Sequence, residues 1–255
     1  MTGFDPVIND KERVRRLVAL PGVKPDRIRV LRQATVAIVG VGGLGQASAQ
    51  YLAAQGIGRI RLIDPDRVAL HNLSRQVLLT PADEGRLKVE AVRDALVRQA
   101  PTVTVDMHPV ALAADNLAPL LDGVDLILDG LDQGAPRDAL NRYAVETGRP
   151  VLFAGAIGYE AQVFGVAGGQ PCLACLFGSV AESVADCAVT GVLGPVVAMA
   201  GLVQAQEALK WLLGVGRSLF GRLWQWDGFS LTTRILDIPP RPDCPVCGKG
   251  DRYGV

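Results

Sequence analysis

Between residues 35 and 155 short apolar runs alternate with stretches in which apolar positions recur at helical spacing. The run at 35–39 (TVAIV) is brief and β-branched, which predicts a strand. It feeds a glycine-rich turn, and the apolar pattern of 44–55 that follows predicts a helix. Gly56 and Gly58 close that helix, and 59–63 reads as a second strand ending at Asp64. Strand, helix and strand make a βαβ unit, which implies a parallel sheet. Further helices are predicted at 88–99 and 136–147, alternating with strands at 103–107, 124–128 and 151–154.

Ahead of this alternation, mixed charged and apolar spacing at 9–20 suits a helix, Pro21-Gly22 breaks it, and Pro25 can start another. Beyond residue 155 the alternation weakens. A strand at 161–166, a cysteine-containing loop, a long apolar helix at 195–213 and strands near 222–226 and 231–236 are expected. The fold class that follows is α/β: a Rossmann-like, doubly wound, mostly parallel sheet with a C-terminal antiparallel extension. One domain over 1–255 is expected, divided into a helical preface (1–34), a nucleotide-binding half (35–155) and a second half (156–255) that extends the same sheet.

Composition narrows the class of partner. With 255 residues, 49% of them apolar and 20% charged, the chain can bury a substantial single core. Its 26 basic and 26 acidic residues cancel, so no overall field recruits nucleic acid or an anionic membrane. The opening MTGFDPVINDKERVRRL has no apolar leader, and the most apolar later stretch, 191–203, is too short to cross a bilayer. A cytoplasmic protein is therefore expected. No internal repeat, low-complexity tract or Pro/Ser-rich linker marks a boundary.

The candidate chemistry begins at GVGGLG, residues 40–45, a G-x-G-x-x-G turn that leaves a strand and opens a helix. Gly40, Gly42, Gly43 and Gly45 permit a tight turn and close approach of backbone N–H groups to phosphates. Asp64 stands near the offset of about 20 residues expected for an acid that accepts ribose hydroxyls. The alternative is a turn that serves only close helix–strand contact. The motif does not separate NAD from ATP, since both present a phosphorylated adenosine.

Cations nearby bear on that choice. HNLSRQ places Asn72, Arg75 and Gln76 just after the second strand, and Lys88 opens the next predicted helix. A lysine in a first turn opposes the helix dipole by about a few tenths of a kcal/mol unless an anion lies close. Taken singly, Arg75 and Lys88 could equally be solvated side chains. Asp129 and Asp132, in LILDGLDQ, follow a strand and so fall at the C-terminal edge where open α/β sheets bind ligands. Each could cap a turn, or a carboxylate there could hold Mg²⁺ against phosphates.

Five cysteines occur, four of them as two C-x-x-C pairs, Cys172 with Cys175 and Cys244 with Cys247. Four thiolates can close a tetrahedral structural zinc site, and the 68 residues between the pairs are compatible with two knuckles that pin the C-terminus to the body. Paired disulfides or free thiols are the alternatives. Cys187 stands alone, either a reactive thiol or inert packing. His71 and His108 lack any serine-and-acid spacing, and Trp211, Trp224 and Trp226 suit a core or an interface better than a nucleic-acid stacking platform.

Taken together, VAIVGVGGLG, IRLIDPDRVALHNLSRQ, GRLKVEAVRDAL, DLILDGLDQ with Arg137 beyond it, PCLACLF, DCAVTGVLGPVVAMAGLVQAQEALK and the closing CPVCG resemble the ThiF/MoeB/HesA family. These proteins are bacterial relatives of the adenylation domain of ubiquitin-activating enzymes. Seven ordered blocks cover nearly the whole chain. The resemblance implies an ATP site in which Asp64 holds the ribose, Arg75 and Lys88 contact phosphates, Asn72 and Gln76 complete the wall, and Asp132 positions Mg²⁺. It implies the structural four-cysteine zinc site as well, and a loop in which Cys187 has a catalytic or covalent role in some relatives.

It implies further a homodimer in which Arg16 reaches the partner's triphosphate, with the helix at 195–213 near the interface. The stretch Arg13-Val14-Arg15-Arg16-Leu17 departs from the family's R-Y-x-R-Q, and Gln133 replaces a common Asn, though neither change removes a charge. The substrate implied is the C-terminal Gly-Gly carboxylate of a ubiquitin-like sulfur-carrier protein in molybdopterin, thiamin or another sulfur-transfer route, and residues 156–255 become the carrier-binding, zinc and dimer half. No rhodanese segment follows the second cysteine pair, so a separate persulfide donor is expected. The competing readings are an NAD-dependent oxidoreductase, which has no use for Arg75, Lys88 and Asp132 together, and a non-catalytic scaffold for a ubiquitin-like protein.

Overall fold

The computed structural model describes residues 12–168, 171–178 and 191–248. Eight strands form one sheet: β1 (Thr35–Val39), β2 (Arg59–Ile63), β3 (Thr104–His108), β4 (Leu126–Asp129), β5 (Val151–Ile157), β6 (Glu160–Val166), β7 (Arg222–Asp227) and β8 (Thr232–Asp237). Their order across the sheet is β3-β2-β1-β4-β5-β6-β7-β8. The first five in that order pair in parallel, and β6, β7 and β8 continue antiparallel. The doubly wound sheet and its antiparallel extension are thus as expected from sequence.

Burial explains the strands' composition. A parallel strand covered on both faces has no solvent side to spend polar residues on. In β1, Val36 and Ile38 enter one core cluster while Ala37 and Val39 enter another, the period of two that separates sheet faces. The first cluster is completed by α2 (Pro25–Gln33), α3 (Gly43–Ala54), α4 (Lys88–Gln99) and the C-terminal half of α8 (Gly194–Leu213). On the opposite face lie α5 (Leu117–Leu121), α6 (Gly134–Thr147), α7 (Leu173–Phe177) and the four paired cysteines.

Helices α3 and α8 pack closely because small residues meet there. A Cβ on Gly201 would lie 2.4 Å from the Leu44 carbonyl oxygen and 2.8 Å from the Ala47 Cβ. Ser48 crosses this contact, donating to the Gln204 side chain at 2.8 Å and lying 2.9 Å from the Gly201 carbonyl oxygen.

Some elements differ from expectation. Within 9–20 residues 12–13 are helical and, after a turn at Val14, α1 spans Arg15–Val18 with no side chain capping its start; residues 9–11 lie outside the described part. The strands expected at 103–107 and 124–128 begin one and two residues later. Two five-residue helices, α5 and α7, are too short to show a period in sequence, and α7 occupies part of the expected cysteine loop. Leu231 falls in the β7–β8 turn with φ +58°, so β8 begins after it. Among the described residues no helix is long and apolar enough to cross a membrane.

Candidate nucleotide-binding site

Strand order reverses between β1 and β4, the position at which open α/β sheets accept ligands at the carboxyl ends of their strands. The glycine turn lies there. Gly40 donates to the Ile63 carbonyl at 2.9 Å and Gly130 to the Val39 carbonyl at 2.8 Å, so the chain leaving β1 is held between its two neighbours. Gly40 has φ +87°, and a Cβ on it would stand 2.6 Å from the Gly130 oxygen. A Cβ on Gly43 would stand 2.5 Å from the Arg75 carbonyl oxygen, and one on Gly45 would stand 2.1 Å from the Gly40 oxygen.

Three of the four glycines are therefore demanded by the protein's own backbone. Gly42 is not: a Cβ there meets nothing within 4 Å. It caps the N-terminus of α3 from extended backbone, with no side chain satisfying the cap. The turn is open at Gly42, at the N-terminus of α3, where backbone N–H groups and helix dipole together favour an anion.

Asp64, at the end of β2, is buried. Its Oδ2 accepts from the Val41 N–H at 2.6 Å and its Oδ1 from the Asp66 N–H at 2.8 Å, so it braces the turn directly. Burial raises its carboxyl above the ordinary value, opposed by Lys88 and by those two N–H groups. Each oxygen retains a lone pair for a hydroxyl donor.

Asn72 and Gln76 are buried and Arg75 half-buried in the segment after β2. The Asn72 side chain accepts from Ala69 N–H at 3.2 Å, and its carbonyl accepts from the N–H groups of Arg75 and Gln76 at 3.1 and 3.0 Å. Among the described residues no carboxylate pairs with Arg75, whose guanidinium makes one long contact, 3.4 Å, to the His71 carbonyl.

Lys88 opens α4, as expected, and is 6% exposed, a depth at which an ammonium needs a partner. That partner is Asp66, 2.7 Å away and itself well exposed. The anion that the helix dipole called for is supplied within the chain, by a residue to which sequence reasoning assigned no role. Asp66 also accepts the Lys88 N–H at its carbonyl, 2.9 Å, tying α4 to the end of β2.

At the end of β4 the two aspartates divide. Asp132 is exposed, and its carboxylate makes no hydrogen bond or ion pair among the described residues. Asp129 is fully buried, with Arg137 Nε of α6 at 2.8 Å from its Oδ2 and the Leu131 N–H at 3.2 Å from its Oδ1. The Arg137 contact is charge pairing: neither Nε nor Oδ2 meets hydrogen-bond geometry. Burial raises the Asp129 carboxyl to about 6, opposed by Arg137.

Beneath this pair, buried Gln204 of α8 donates to the carbonyls of Asp129 and Leu152 at 2.9 and 2.7 Å. Asp129 is thus internal support and Asp132 faces out. Sequence reasoning gave Gln204 no role; its only signal was a polar side chain in a helix whose neighbouring positions are apolar.

On the opposite face the cysteine pairs converge. Cys172 and Cys175, at the start of α7, meet Cys244 and Cys247 beyond β8; all four are buried and their sulfurs lie within 4.8 Å of one another. The closest approaches are 3.6 Å between Cys172 and Cys244 and 3.3 Å between Cys175 and Cys247. Tetrahedral Zn–S bonds of about 2.3 Å place sulfurs about 3.8 Å apart, so the cluster is compatible with zinc. The Arg241 N–H donates to the Cys175 sulfur at 3.5 Å, and the Asn141 side chain holds the Leu173 N–H at 2.8 Å.

Arg16 is exposed on α1, and among the described residues it makes no hydrogen bond or ion pair with the site. Cys187 lies outside the described residues. Gly40, Gly42, Gly43, Gly45, Asp64, Asn72, Gln76 and Lys88 belong to contiguous hydrogen-bonded or packed segments, and Arg75 joins them through its contact with Gly43.

The ThiF family model matches residues 14–246. A sulfur carrier protein adenylyltransferase of Thermus thermophilus is 38% identical over 247 residues, spanning 93% of this chain and 90% of that protein. The molybdopterin-synthase adenylyltransferase of Escherichia coli K12 is 37% identical over 246 residues, spanning 95% and 99%. Among solved structures, E. coli MccB matches with a TM-score of 0.82 at 22% identity over 95% of this chain and 73% of its own, a likeness of fold.

Proposed function

The chain belongs to the ThiF family, and from that membership and the site's geometry we infer that it is an adenylyltransferase. It activates the C-terminal glycine carboxylate of a ubiquitin-like sulfur-carrier protein with ATP. The observation that carries the reading is the open anion-binding turn at the β1/β4 switch point, flanked by Lys88, Arg75 and Asp132, in a chain 37–38% identical to relatives named for this activity.

In the reaction a carboxylate oxygen of the terminal glycine attacks the α-phosphorus in line. The new C–O–P linkage forms as the α–β bridging P–O bond breaks, and pyrophosphate leaves with the electron pair. No protein nucleophile is needed for this step. The turn amides and α3 N-terminus receive phosphate oxygens, and Asp64 accepts from the ribose hydroxyls with the lone pairs its backbone donors leave free.

Arg75, without a carboxylate of its own, and Lys88, exchanging Asp66 for phosphate, balance the charge that develops. Asn72 and Gln76 hold the segment that presents Arg75. Asp132 is the carboxylate that would hold Mg²⁺, which would supply positive charge against the phosphates there. Catalysis is orientation and electrostatics.

The four cysteines would hold zinc as a closed structural site that leaves no coordination position for water. The chain works as one adenylation domain and as a homodimer, Arg16 completing the partner's site, and Cys187 has a catalytic or covalent role. Sulfur is delivered by a separate persulfide donor, in molybdopterin or thiamin biosynthesis. The deciding experiment is ATP–pyrophosphate exchange with Mg²⁺ and the ubiquitin-like carriers of the same genome, each intact and without its terminal Gly-Gly. Exchange dependent on one intact carrier is expected; ATP binding with no exchange for any carrier would overturn the reading.

A further inference from the structure

The first turn of α3 carries a buried amide to which the reaction above gives no part. Gln46 follows the glycine turn directly and is 1% exposed. Its Nε2 donates to the Val41 carbonyl at 3.1 Å and to Gln76 Oε1 at 3.2 Å, which uses both N–H bonds. Its own Oε1 has no hydrogen-bond partner among the described residues. The Val41 carbonyl fixes this orientation, since the flipped amide would set oxygen against oxygen. An apolar side chain of equal length would remove this unpaired acceptor but leave two others, the Val41 carbonyl and Gln76 Oε1, without their donor.

What the amide provides is geometry. The Val41 peptide is gripped on both sides, its N–H by Asp64 at 2.6 Å and its carbonyl by Gln46. The same Nε2 holds Gln76, whose N–H shares the Asn72 carbonyl with the N–H of Arg75. One side chain thus joins the turn that offers amides to the phosphates and the segment that offers the Arg75 guanidinium.

We propose that Gln46 is a positioning residue that sets the distance between the glycine turn and Arg75, and so tunes the affinity for the triphosphate and its orientation. This rests on the reading that ATP lies on the glycine turn. A residue that served only packing would reveal itself in stability; a positioning residue reveals itself in affinity.

The test compares wild type with Gln46→Met, Gln46→Glu, Gln76→Ala and the Gln46→Met/Gln76→Ala double variant. MgATP affinity is measured by titration calorimetry, ATP–pyrophosphate exchange by isotope incorporation, and stability by thermal melting. Gln46→Met should stay folded with a modestly lower melting temperature and bind MgATP about tenfold more weakly, the scale of one or two hydrogen bonds. Gln46→Glu, which faces two acceptors with a third, should bind as weakly or more so. The double variant should lose less than the product of the single losses, because the two amides act through one bridge.

Wild-type affinity in both Gln46 variants, or losses that multiply fully, would overturn the proposal. If wild type binds MgATP but exchanges no pyrophosphate, the functional reading fails while the affinities still decide the role of Gln46. If wild type binds no MgATP, both fall.

Discussion

Replacing Arg137 by methionine removes the charge partner of a fully buried carboxylate, and its cost should depend on pH. Asp129 is 0% exposed; among the described residues its carboxylate has, apart from Arg137 at 2.8 Å, only the Leu131 N–H at 3.2 Å. Leaving a buried charge unpaired costs about 3–5 kcal/mol. The lost hydrogen bond from Arg137 to the Ala154 carbonyl, 3.1 Å, adds about 1 kcal/mol at any pH. The charge penalty applies only while the carboxyl is ionised.

In the folded wild type that group titrates near 6, above its ordinary 3.8. The folded state therefore holds the proton more tightly than the unfolded chain. Stability contributed by Asp129 is highest at low pH, declines as pH rises from about 3.8 to about 6, and is flat above. Arg137 lowers this value, so the methionine variant titrates higher still and is neutral at pH 5. The expected loss is about 1 kcal/mol at pH 5 and grows by up to about 1.4 kcal/mol per pH unit above about 6, to about 3–4 kcal/mol at pH 8.

Urea unfolding followed by far-UV circular dichroism, with variant and wild type compared at each pH in zinc-containing buffer, measures both. Adding Asp129→Asn to Arg137→Met should restore most of the loss at pH 8. Equal losses at the two pH values, or no restoration in the double variant, would refute the reasoning.

Gly40→Ala forces a side chain onto φ +87° and to 2.6 Å from a carbonyl oxygen, and should destabilise by about 3 kcal/mol in thermal melting. Gly42→Ala meets no atom within 4 Å, so it should leave the melting temperature almost unchanged yet weaken MgATP binding, since its Cβ occupies the open side of the turn. A Gly42→Ala variant with wild-type affinity would place the phosphates elsewhere. Lys88→Ala and Asp132→Ala should each lower pyrophosphate exchange by about a hundredfold or more with unchanged circular dichroism. Near-normal turnover in either would remove that residue from the site. Freshly purified, reduced protein should carry one zinc per chain by mass spectrometry and Cys172→Ser much less, with an earlier melt; a wild type with little zinc would end the assignment of the cysteine cluster.

Much of the site was visible in order along the chain because its parts are local. A strand, G-x-G-x-x-G and a helix are contiguous, and the conformational demand on Gly40 arises within that turn and from the strand end beside it. Each C-x-x-C pair is one turn of backbone, closed by Cys175 N–H to Cys172 carbonyl at 3.0 Å and by Gly248 N–H to Cys244 carbonyl at 2.9 Å. Less was visible where a side chain's partner lies far away. Spacing alone left Asp129 and Asp132 alike and the family resemblance singled out Asp132; the packing of α6 and α8 makes Asp129 internal and leaves Asp132 exposed.

The sequence by itself therefore determined the alternation of strands and helices, the glycine turn at the head of α3 and the two cysteine knuckles, since hydrophobic period and backbone permissiveness act over a few residues. Tertiary structure alone decided that β4 lies beside β1, that Lys88 rests on Asp66, that Gln46 spans from Val41 to Gln76, and that knuckles 68 residues apart share one centre. Those pairings follow from burying both faces of one sheet and satisfying most of the polar groups enclosed by it, a condition on the whole chain that no short window contains.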